Sequence, residues 1–410
     1  MAFASTGIRS KAALAAGGAV LIATAGVVLW PDPAGGNSPD SLVQNGEIGF
    51  VLTDIAYVTG PHADEAGTCP AGMSKNLVEI FNATPEGARR PGESDQAFSE
   101  RSEAGGRALG DAPDGRNYCQ HPQIAPPEPN FRTMRDSRVR IDGLDLDGKH
   151  TAGSDFLTPG GSRGVDNQFY RATGCSQSFQ PGGQSNQFSI PMYAGEWGIL
   201  VRLTEVDDLE NDPSVEVGLY ANSDPMQLSP TREALRFATY AIDQDPRFRA
   251  LTRGKIANGV LTTDPVDVRF RTVVNSMHLE RVLRDARLRA EVSADGSLTG
   301  IMAGFAPVEA LYDQQFGYRN GKDGGGQPAA EQLRTGSSNG AARVLGYTCS
   351  GIYQALHQLA DGHPDPQTGR NSSISVQYRF SAVNAFLVDV DTSSANEALA
   401  ASSAPPDRGS

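Results

Sequence analysis

The chain has 410 residues, 39% of them hydrophobic and 20% charged, enough for one large or two ordinary domains with a full core. A formal net charge of −13 argues against a nucleic-acid partner, which would call for a basic face. The 46 glycines and 26 prolines argue for a turn-rich fold and against a helical bundle.

The first 30 residues carry an address. Arg9 and Lys11 precede an uncharged apolar run from Ala12 to Trp30. Two readings fit. As a signal peptide, the run supplies Ala23 and Ala25 as small residues before a cleavage point. As an uncleaved anchor, its 19 residues just span the hydrocarbon layer with Trp30 at the far interface. Either way the body is expected outside the cytoplasm, secreted or periplasmic if the segment is cut, and inner-membrane anchored facing the periplasm if it is not. Residues 31–48, rich in Pro, Gly, Asn and Ser, read as a linker.

Four cysteines in an exported chain imply two disulfides. Sequence order suggests Cys69 with Cys119 and Cys175 with Cys349, although three pairings are open. The absence of CxxC leaves zinc-ribbon and thioredoxin-like readings without support.

Residues 49–136 read as one strand, Gly49 to Val58, followed by an irregular cysteine-stapled region whose ordered piece is Asn76 to Phe81. From 137 to 390 strands dominate: Asn186 to Met192, Trp197 to Val206, Val215 to Ala221, Thr262 to Val274, Ala286 to Val292, Leu298 to Met302 and Ile374 to Val388. Ser293 to Ser297 forms a hairpin turn, and Asp207 to Pro213 an acidic one. Helices are predicted at Pro307 to Phe316 and Ala341 to Asp361, with a flexible Gly/Ser loop, Asn320 to Asn339, between them. The tail 391–410 has the composition of a disordered segment. The fold class that follows is mainly β, an antiparallel sandwich or jelly roll with two inserted helices and a loop-rich, disulfide-stapled N-terminal region.

The chemically specific stretch is Arg140 to Cys175. It sets Asp142, Asp145, Asp147, Asp155, Asp166 and Asn167 among glycines, the composition of a loop that turns oxygen ligands toward a hard cation. Aligning Gly148 with the invariant glycine of an EF-hand loop puts Asp145 and Asp147 in register. Gly143 and Ser154 then fall where ligands are required, so a contiguous loop site fails and a noncontiguous one is expected. Calcium suits it better than zinc, because the stretch offers oxygens and a single histidine, His150. The plain alternative is a solvated run of Asx turns.

Other groupings are weaker. The hairpin tip Asp207, Asp208, Glu210, Asn211 and Asp212 is a charged turn with some ion-binding capacity. His357, Asp361, His363 and Asp365 have the spacing of a transition-metal site at a helix end, and His278 with Glu280 is a common acid–base pair. Trp197 falls in the core rather than on a sugar-stacking face. No GxSxG falls in a strand–turn–helix context, and neither a Walker loop nor a dinucleotide fingerprint is present.

The sequence therefore favours a non-catalytic binding or structural protein, tethered to the membrane by its N-terminal segment and ordered by calcium. Its ligand or protein partner would be extracytoplasmic. The alternatives are a hydrolase using a carboxylate pair of the same loop and a scaffold subunit of an envelope complex.

Overall fold

β1 (Ile48–Tyr57) is buried along nearly its whole length, as the apolar run IGFVLTDIAY requires, and it is paired on both edges. In the computed structural model, described for residues 42–389 apart from 64–66, 136–137, 187 and 223, it is followed by helices α1 (Leu77–Asn82) and α2 (Asp95–Leu109). A short hairpin of β2 (Phe156–Leu157) and β3 (Arg163–Val165) then leads into α3 (Gln168–Thr173) and α4 (Ser189–Tyr193). Next come β4 (Ile199–Thr204), β5 (Asn211–Ala221), β6 (Ala238–Ala241), β7 (Arg249–Ala257), β8 (Val260–Thr263), β9 (Val266–Val274), β10 (Met277–Val292) and β11 (Leu298–Pro307). α5 (Val308–Tyr312) runs into a π-helical turn, Asp313–Gly317. The described chain ends with α6 (Glu331–Leu345), α7 (Cys349–Gln358), β12 (Gly362–Pro364) and β13 (Asn371–Val388). The signal or anchor segment, most of the linker and the tail from 391 lie outside the described residues.

The main sheet has 11 strands, antiparallel except where β6 runs parallel to β13. Where the sequence suggests a sandwich, the pairing follows one closed circuit: β1, β4, β5, β7, β8, β10, β11, β13 and back to β1. Closure removes the free edges an open sheet would expose. Side chains alternate across this wall. Phe50, Val201, Leu219, Leu261, Leu288, Met302 and Phe380 belong to the main core, while Ile301, Ala303 and Phe305 of β11 face the opposite way into a second cluster with Ile141, Leu146, Phe156 and Val165. A bulge between Leu52 and Asp54 lets Ile55 and Tyr57 join the core side.

The helices depart from expectation in instructive ways. α2 lies inside the stretch read as irregular. Gly105 hides it from a propensity reading, yet a Cβ there would fall 2.3 Å from the Phe81 ring, so the glycine lets α1 and α2 pack closely. Asn76 caps α1 through a capping box with Glu79. Residues 186–192, read as a strand, hold α4, which includes Pro191. The predicted helix 341–361 is two helices: Gly346, at φ 74°, ends α6, and Thr348 caps α7 by accepting from the Gly351 amide. The second half of the expected Gly/Ser loop is α6 itself.

The cysteine pairing is corrected. Cys69 bonds Cys175 and Cys119 bonds Cys349, with Cα–Cα distances of 5.8 and 5.0 Å. The N-terminal region is not stapled to itself but fastened twice to later parts of the chain. Its backbone follows the same partners: the Ser74 amide donates to the Cys175 carbonyl, Asn76 Nδ2 donates to the Arg343 carbonyl, and Arg343 pairs with Glu103.

Candidate metal centre

The acidic loop lies over the outer face of β13, and the sequence of that strand explains why. Ile374, Val376, Tyr378, Phe380 and Ala382 point to the main core, which leaves Ser373, Ser375 and Gln377 on the outside. These polar residues are nonetheless buried, because the loop covers them. Gln377 Oε1 accepts from the Leu144 amide at 3.0 Å, and its Nε2 donates to the carbonyls of Leu144 and Asp166 at 2.9 and 2.7 Å. Ser375 Oγ accepts from the Gln168 amide and donates to Asp361. Leu146, anchored in the second cluster, holds the loop from the apolar side.

This seating brings together Asp145, Asp147 and Asp166, each offering a carboxylate oxygen within 4.8 Å of the others. Asp166 is the buried member; its Oδ2 accepts from the amides of Leu146 and Asp147 at 2.6 and 3.3 Å. Burial, with the neighbouring Asp147 and Asp155, pushes its carboxyl up to about 7. Asp145 Oδ1 accepts from the Gly148 amide, and its Oδ2 sits 3.4 Å from His150 Nε2. Asp147 Oδ1 accepts from the Lys149 amide. Asp145 and Asp147 thus each spend one oxygen on an Asx-type turn, Asp147 Oδ2 also lies 3.4 Å from Lys149 Nζ, and Asp166 ties the two stretches together through the Leu146 and Asp147 amides.

The remaining predicted ligands are not part of this trio, although Asp155 borders it. Asp155 is buried and raised by desolvation, and its Oδ2 accepts from the Thr151 amide. Asp142 pairs with Arg289 across the sheet. Asn167 caps α3, its Oδ1 accepting from the Tyr170 amide and its Nδ2 donating to the Val58 carbonyl. Asp361, which sequence reasoning assigned to a histidine group, borders the acidic loop instead. It binds Ser375, and burial together with Asp147 pushes it up to about 6.

Gly164 shows how tightly the centre is built. At φ 121° its Cβ would lie 3.2 Å from the His150 ring and 3.4 Å from Asp145 Oδ2. Gly164→Ala is expected to destabilise the protein by roughly 1 kcal/mol through backbone strain alone, measured by urea unfolding.

The other sequence candidates do not converge. His357 turns to Glu309 at 3.0 Å, His363 to Asp285 at 3.2 Å, and Asp365 caps its own turn through the amides of Gln367 and Thr368. At the hairpin tip, Asp212 accepts from the amides of Asp207 and Ser214, a closed turn. Trp197 is buried in the main core. Among the described residues no helix is long and apolar enough to cross a membrane. Compared with protein-family models, curated proteins and solved structures, the chain matches none.

Proposed function

We propose that this is an exported, membrane-tethered, non-catalytic binding protein whose Asp/Gly loop is ordered by calcium. The observation that carries the calcium reading is the meeting of Asp145, Asp147 and Asp166 from two separate stretches of chain, with all three oxygens inside 4.8 Å. An all-oxygen set of carboxylates suits a hard cation. A raised carboxyl between like charges is the group whose proton such an ion displaces. Two disulfides support an oxidising compartment. The tether reading draws on the apolar run before residue 31.

A structural ion fits better than a catalytic one, because the loop carboxylates form turns and none of the four acids Asp145, Asp147, Asp155 and Asp166 lines the 540 Å³ cleft on the β9–β10 side. The hydrolase reading keeps one supporting observation, the Asp166 carboxyl near neutrality, as a general acid would need. Calorimetric titration of the full chain tests the proposal. One calcium ion bound per chain, lost in Asp145→Ala/Asp147→Ala, is the expected result. Absence of calcium binding in the native protein would remove the ion and return those carboxylates to a substrate screen.

A further inference from the structure

Arg281 of β10 is 3% exposed, and its guanidinium sits in an aromatic cage, 4.5 Å from the Phe188 ring centre and 5.1 Å from that of Tyr378. Only Nη1 is engaged, donating to the hydroxyls of Tyr378 at 2.7 Å and Tyr57 at 3.3 Å. Among the described residues, Nε and Nη2 have no hydrogen-bond partner. These two nitrogens form the side-on fork of the guanidinium, the edge that at the surface grips Glu47 from Arg202 at 2.8 and 2.6 Å. A guanidinium stays charged in a protein, and a buried charge facing no counter-ion is strongly disfavoured. Its fork therefore calls for an oxyanion.

The neighbourhood is unpartnered too. Thr272 of β9 lies directly opposite Leu279, which precedes Arg281 by two residues on the same side of the strand, roughly 6.6 Å along the chain. Among the described residues Thr272 Oγ1 has no partner, and neither does the nitrogen or the oxygen of the Gln314 amide; both side chains are 1% exposed. Leu279 and Gln314 form part of the wall of the 540 Å³ cleft, whose rim carries Arg247, Arg271 and Lys322. Arg247 and Arg271 are held by Asp245 and Asp243, whereas Lys322 is exposed and makes no ion pair among the described residues. Gln314 belongs to the π-helical turn, a kind of irregularity frequent at functional sites. The next residue, Gln315, accepts from Tyr57, the same hydroxyl that Arg281 reaches.

We infer that the cleft takes a small organic carboxylate, which passes Gln314 and Leu279 and seats its carboxylate on the Nε–Nη2 fork of Arg281. Tyr57, Tyr378 and Phe188 enclose the fork, and the Thr272 hydroxyl and the Gln314 amide bind polar groups on the body of the ligand. Lys322 at the rim draws the anion in. This names a ligand class for the binding function proposed above. It uses no residue of the acidic loop, so its failure would leave the calcium reading standing.

The test uses the full chain and 4-bromobenzoate at constant ionic strength, with chloride as the matched salt and inorganic phosphate as the competing oxyanion. Saturable calorimetric binding of bromobenzoate is expected, weakened about tenfold or more in Arg281→Met, the weight of a hydrogen bond to a charged group. Should Arg281→Met fail to fold, crystals of the native protein grown with the probe give the decision. A bromine anomalous peak in the cleft with the carboxylate on Nε and Nη2 supports the site. No binding, binding undiminished in Arg281→Met, a water alone on the fork, or binding of phosphate but not of the carboxylate would each overturn it.

Discussion

Replacing Cys119 and Cys349 together by alanine is expected to remove about 5 kcal/mol of stability, the chain-entropy value for a closed loop of such length. The bond joins positions 230 residues apart, so in the unfolded chain it removes more freedom than the Cys69–Cys175 bond, which spans 106. The difference between the two is small because the entropy grows only with the logarithm of loop length. Both should therefore fall near the same figure, measured by urea unfolding of each double variant. The loops interleave, 69 to 175 and 119 to 349, so while one bond is intact the other closes a slightly shorter effective loop, and removing both should cost slightly more than the two single losses added. A loss under about 1 kcal/mol for either would mean that the denatured chain keeps the two ends together without the bond.

The second large effect couples calcium to pH. Asp166 holds its proton up to about 7 in the fold, against an ordinary value of 3.8. At Asp166 the folded state thus binds more protons than the unfolded one between about pH 4 and pH 7, and the contribution of this residue to stability in EDTA falls as pH rises through that window, flattening above it. Asp361, pushed up to about 6 by burial, adds in the same direction. Discounted for solvent screening, the Asp166 contribution is about 1–2 kcal/mol. Calcium at a hundred times its dissociation constant should return about 2.7 kcal/mol at pH 7.5, and less at pH 5, where protons compete for the same oxygens. Asp166→Asn keeps an oxygen to accept from the Leu146 and Asp147 amides. Thermal melts of this variant in EDTA should lack that falling contribution, and calcium should give no rise. A native profile in EDTA that runs parallel to that of Asp166→Asn through the window would contradict the raised carboxyl, and a full calcium response in Asp166→Asn would remove this residue from the centre.

Much of the sheet was legible because alternation and burial coincide. β13 reads outright as Ile374, Val376, Tyr378, Phe380 against Ser375, Gln377, Arg379. The same pattern misled on one point: the polar side reads as solvent-facing, yet Ser375 and Gln377 are the floor on which the acidic loop rests. Asp145, Asp147 and Asp166 were visible as a group by composition, while Asp142 and Asn167 carry the same composition and serve an ion pair and a helix cap. Side-chain type does not tell a ligand from a cap; the position of the backbone amides does. Arg281 gave no local signal, since an arginine in an alternating strand looks like any outward-facing one until the bulge between Leu283 and Ala286 fixes which side is in. Cysteine pairing was lost for a related reason, as it depends on where α2 and α6 pack and not on the order of the four residues.

The closed circuit also sets a timetable. β1 begins at residue 48, but one of its two neighbours is β13, which ends at residue 388. A chain delivered from its N-terminus exposes a sticky, unpaired β1 edge until nearly the last described residue has emerged, and such edges invite pairing with other chains. Pairing so distant in sequence also slows ring closure. Under the export proposed above, that lateness would be an advantage, since the barrel could not lock before the extended chain is through.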